Sequence, residues 1–68
     1  MKLYFNVYLK EDNKEIFLKT LDSIEVEDIE YNEFFTKLHL IDMKFTDFSI
    51  THSGSYIMKV SFNNFNLK

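Results

Sequence analysis

The sequence predicts a small two-layer α+β domain, a four-stranded antiparallel sheet in ββαββ order with one helix packed on one face. Three observations predict it. Tyr31, Phe34, Phe35, Leu38 and Ile41 recur at spacings of three and four, which places them on one helical stripe. The segments on either side alternate apolar with polar residues at a period of two, the mark of half-buried strands. Two clusters with turn chemistry, Glu11-Asp12-Asn13-Lys14 and His52-Ser53-Gly54, sit where adjacent strands have to reverse. The expected organisation is a single domain over residues 1–68, with strands at about 2–10, 15–21, 44–51 and 55–62 and a helix at about 28–41.

In the first strand Leu3, Phe5, Val7 and Leu9 point one way, and Lys2, Tyr4, Asn6, Tyr8 and Lys10 the other. If the turn occupies residues 11–14, Lys10 faces Glu15, Leu9 faces Ile16 and Tyr8 faces Phe17. The same register carries on to Val7 with Leu18, Asn6 with Lys19, Phe5 with Thr20 and Tyr4 with Leu21, all favourable or neutral pairs. The hairpin then has two apolar faces. One meets the helix. The other, with Tyr4, Tyr8, Phe17 and Leu21, is either covered by the C-terminal segment or a loop, or is an interaction face.

Residues 22–33, DSIEVEDIEYNE, hold six of the eleven acidic residues and no lysine. Asp28 is the expected N-cap, Glu30 and Glu33 suit the positive end of the helix dipole, and Glu33 precedes Lys37 by four. That logic leaves Asp22, Glu25 and Glu27 unexplained. They are either solvated, or a carboxylate row that mimics phosphates toward a basic cleft. His39 is expected near the helix C-terminus.

Residues 44–51 alternate again, with Thr46, Phe48 and Ile50 on one side and Asp47, Ser49 and Thr51 on the other. Across a loop with Gly54 third, Ile50 would face Tyr56, Phe48 would face Met58, Thr46 would face Val60 and Asp47 would face Lys59. The tail 63–68, NNFNLK, breaks the alternation and is expected to fray or dock lightly.

A chain of 68 residues allows one core of limited size, and such chains gain margin from disulfides, metals or partners. There is no cysteine, and the two histidines are not at ligand spacing, so neither metal nor cofactor is expected. One glycine forbids a phosphate-cradling loop, and no serine has a base beside it, so no enzyme is expected. A net charge of −3 without arginine disfavours direct nucleic-acid binding, although sheet-face aromatics could stack single-stranded bases. The N-terminus alternates rather than forming a signal peptide, and no run approaches the ~20 apolar residues of a membrane span. The expectation is a cytoplasmic protein.

Arg, Ala, Pro, Gln, Cys and Trp are absent, while Lys, Asn, Ile, Phe and Tyr are common, the imprint of AT-rich codons. That origin fits a low-GC bacterium or its phages. The functional expectation is a small non-enzymatic inhibitor or modulator of phage or mobile-element type. Its partner would be a host protein of the nucleic-acid-handling or defence machinery, met in the host cytoplasm. Asp22, Glu25, Glu27 and Glu30 would enter a basic cleft, with Tyr4, Tyr8 and Phe17 as anchors. The alternative is an assembly module that forms a homodimer through its sheet or an edge strand.

Overall fold

The helical spacing does not stop at Ile41. Phe34, Leu38, Ile41, Phe45 and Phe48 follow one another at intervals of four, three, four and three, so they form one continuous stripe. Neither glycine nor proline interrupts it. A computed structural model, which describes residues 1–62, shows the result. The elements are β1 (Lys2–Glu11), β2 (Lys14–Glu25), α1 (Tyr31–Thr51) and β3 (Ser55–Ser61). The strands form one three-stranded antiparallel sheet in the order β2-β1-β3.

This corrects the expected four-stranded sheet and its ββαββ order; the fold is α+β with order ββαβ. Residues 44–51 are the second half of α1, not a third strand, and the helix spans 31–51 rather than 28–41. Two periods competed in that segment. The alternation of Thr46, Phe48 and Ile50 has no sheet to join, whereas the three-four spacing extends a stripe already packed on β1 and β2. The β-branched residues are accommodated locally. Thr36, Thr46 and Thr51 donate their hydroxyls to the carbonyls of Asn32, Asp42 and Asp47, one turn back, at 2.9, 3.0 and 2.9 Å. Ile50, expected to face Tyr56 across a hairpin, is instead helical and 75% exposed.

The ends of α1 also differ from expectation. Asp28 is not the N-cap; it adopts a positive φ of 60° in the turn that precedes the helix. Glu30 is the N-cap, without a side-chain cap bond, and its carbonyl accepts the Phe34 N–H at 2.9 Å. The Glu33–Lys37 pair forms at 3.5 Å. His39 lies mid-helix and exposed, because the helix runs on to Thr51. His52 is the C-cap, and its N–H reaches the Phe48 carbonyl at 3.1 Å.

The first hairpin keeps its expected register next to the turn: Lys10 faces Glu15, Leu9 faces Ile16, and Tyr8 faces Phe17. Asp12, with φ 52°, makes the reversal in two residues. Beyond Tyr8 the register slips twice. Val7 faces Lys19 instead of Leu18, Asn6 faces Thr20, Phe5 faces Asp22 and Tyr4 faces Ser23 instead of Leu21. Each slip adds one unmatched residue to β2, which is a β-bulge. The second expected hairpin is replaced by pairing of β3 with β1: Tyr56 with Leu9, Met58 with Val7, Lys59 with Asn6 and Val60 with Phe5. Gly54 lies in the α1–β3 connection with φ 131°, a conformation side chains avoid.

The core lies between α1 and one sheet face. Phe5, Ile24 and Ile41 are buried, ringed by Leu3, Val26, Ile29, Phe34, Leu38 and Met58. Phe48 closes the far end, edge-on to Tyr56 at 5.0 Å and stacked on His52 at 4.0 Å. Among the described residues no helix is long and apolar enough to cross a membrane. The expected tail at 63–68 lies outside the described residues.

Candidate protein-binding surface

The pleat gives β1 two different faces. Phe5 and Val7 turn toward α1 and are buried. Tyr4, Asn6, Tyr8 and Lys10 turn the other way, and no described element crosses that side. Register places Phe17, Thr20 and Ser23 of β2 and Ile57, Lys59 and Ser61 of β3 on the same side.

The surface is rigidly built. Tyr8 meets Phe17 edge to face, with ring centroids 5.7 Å apart. Lys59 lays its ammonium over the Tyr8 ring, 5.2 Å from the centroid, and continues to the Glu15 carboxylate on β2. One lysine thereby straps all three strands together. Its hydrogen bond to the Glu15 carboxylate raises the Lys59 ammonium above its usual pKa range. Asn6, fully buried between Tyr4 and Tyr8 in the strand, ties the strands a second time. Its Nδ2 donates to Ser61 Oγ at 2.9 Å, and its Oδ1 accepts from Thr20 Oγ1 at 2.7 Å. Tyr4, Tyr8, Phe17 and Ile57 remain partly accessible.

The fold separates Asp22 from the other acidic residues of this segment. Asp22 stands opposite Phe5, on the helix side, where Lys44 of α1 donates to it at 2.6 Å. Hydrogen bonds from Lys44 and from the Ser23 N–H hold its carboxyl below the usual range. Glu25 accepts from the Met1 α-ammonium at 2.6 Å, which lowers it likewise, and Glu27 lies 3.5 Å from the same group. Glu30 forms none of the ion pairs found among the described residues. Glu25, Glu27, Asp28 and Glu30 therefore cluster at the turn between β2 and α1, beyond one end of the sheet face.

Sequence reasoning put Tyr4, Tyr8 and Phe17 on one side of the first hairpin, and the structure keeps them on one side, with Ile57 and Lys59 beside them. It missed the Asn6 network, because an asparagine in the polar phase of a strand gives no sign of burial. It also set Leu21 opposite Tyr4, whereas Leu21 is an unmatched bulge residue and Tyr4 faces Ser23. Among the described residues no group of three or more His, Cys, Asp or Glu side chains is placed to hold a metal ion. Comparison with protein-family models, curated proteins and solved structures finds no match to this chain.

Proposed function

We propose that the protein is a non-catalytic binding module that docks a partner protein on the face of its sheet opposite α1. One observation carries the reading. Tyr8 is held between Phe17 and Lys59 in a fixed orientation, on a face that no described element covers. A pre-ordered aromatic anchor loses little side-chain entropy on binding, so its contact area converts efficiently into affinity. Tyr4 and Phe17 extend the anchor. Glu25, Glu27 and Glu30 supply negative charge at one end of the face and favour a partner with a cationic cleft, such as a nucleic-acid-handling protein. Asp22 plays no part, since it lies on the helix side against Lys44. The role is that of an inhibitor or modulator acting by occupation.

The test is affinity capture from a low-GC bacterial lysate with the wild-type chain and with Tyr8→Ala/Phe17→Ala, both checked for a native circular dichroism spectrum. A partner held by the wild type should be lost by the double variant. Equal recovery by both would remove the face from the binding reaction. Glu25→Gln/Glu27→Gln/Glu30→Gln should weaken the same complex and flatten its salt dependence. In a gel shift at low salt the chain alone should retain no single-stranded DNA or RNA.

A further inference from the structure

The two outer edges of the sheet are built differently. β2 carries two bulges and five charged side chains, Lys14, Glu15, Lys19, Asp22 and Glu25. Bulges and charges are the devices that keep an edge from pairing with another strand. β3 has neither bulge nor proline. Its single charge, Lys59, is drawn over the sheet face to Tyr8 and Glu15. The sheet pairs β3 with β1 alone, so the outward backbone groups of Ser55 to Val60 have no strand partner among the described residues.

Exposed apolar side chains gather at that same edge. Val60 and Phe62 are 53% and 63% exposed. Lys44 reaches Asp22, so the lysine flank of α1 overlies β2. Helical geometry puts Tyr31 and Phe35 on the opposite flank, toward β3. Both are exposed, they touch at 4.6 Å, and Tyr31 and Phe62 line one groove.

We propose that the β3 edge is a homodimer interface, whose occupant is a second copy of β3 in antiparallel, two-fold register centred on Met58. Outward-facing groups of an antiparallel pair must meet outward-facing groups, so the centre has to fall on a residue. Centring on Met58 aligns the whole strand, Ser55 to Ser61, with itself. It also sets Lys59 against the partner's Ile57, and Val60 against the partner's Tyr56. Moving the centre to Lys59 would oppose two lysines, which costs stability. Self-pairing of this kind is isologous and closes at two chains. The product is one continuous sheet in the order β2-β1-β3-β3-β1-β2, with both helices on one side. Tyr31 and Phe35 of each copy then cover Val60 and Phe62 across the seam. This inference does not depend on the docking role of the opposite face, which stays open in the dimer.

Analytical ultracentrifugation of the full chain from low micromolar to millimolar concentration tests it. The expected species has twice the 8.2 kDa chain mass. Val60→Lys, at an exposed position, should shift it to monomer with the circular dichroism spectrum unchanged. The chain has no cysteine, so single cysteines report register cleanly. Met58→Cys should form a disulfide-linked dimer on mild oxidation, and Ser55→Cys should not. A monomer throughout the range overturns the proposal, as does a dimer that Val60→Lys leaves intact or that cross-links through Ser55→Cys. A chain that dimerises only once residues 63–68 are removed would assign the edge to its own tail, and that too overturns it.

Discussion

Asn6 is a polar side chain with no exposed surface, and its two hydrogen bonds reach both neighbouring strands. Burial makes such bonds expensive to lose, because Thr20 and Ser61 lose their shared partner as well. Asn6→Ala is expected to lower stability by about 1–3 kcal/mol in urea unfolding. Gly54 is constrained for a different reason. At φ 131° a Cβ would sit 3.1 Å from Leu9 Cδ1 and 3.2 Å from the Tyr56 hydroxyl. Gly54→Ala should therefore cost about 1–3 kcal/mol, from backbone strain and crowding together. Asp22 titrates with a sign that can be worked out. Its folded carboxyl is held low by Lys44, so its contribution is present above roughly pH 4 and disappears as pH falls through the folded value. The pair is partly exposed, so at neutral pH it contributes less than about 1 kcal/mol. Asp22→Asn should flatten the acid limb of a stability-against-pH curve, and an unchanged limb would show that the Lys44 contact is not held in solution.

At the scale of the element, α1 offers the sharpest contrast between neighbours in sequence. Ile41 is buried on Phe5 and Ile24, while Ile50 is exposed. Ile41→Ala should cost about 2–5 kcal/mol, and Ile50→Lys less than about 0.5 kcal/mol, both read from thermal unfolding. A strand over 44–51 would give Ile50 the larger effect. The first hairpin was readable because its turn, its cross-strand charges and its alternation all point to one register next to Asp12 and Asn13. The second half of α1 was not, because Phe48 belongs to both periods. Phe45 decides between them: it continues the helical spacing and breaks the alternation, yet a short window centred on Thr46 does not weigh it. The bulges at Leu18 and Leu21 were equally hidden. Nothing local marks them; together they shift β2 two residues along β1, so that Asp22 stands opposite Phe5 and Ile24 opposite Leu3.

For the whole molecule, the aromatic half of the candidate surface was legible and the acidic half was not. Tyr8, Phe17 and Lys59 follow from strand parity alone. Asp22, Glu25 and Glu27 look alike in sequence, but tertiary pairing separates them, one to the helix and two to the chain's own amino group. The two irregularities of β2 have a last consequence for how the chain tolerates change. Each bulge absorbs one surplus residue while the pairs on either side of it keep their partners, so Ile16 and Ile24 look the same way across both interruptions. Removing Leu21 would close one bulge and leave Ile24 opposite Leu3, whereas removing the matched Thr20 would take away the hydroxyl that Asn6 accepts from. The chain that lacks Leu21 should melt higher than the chain that lacks its neighbour Thr20.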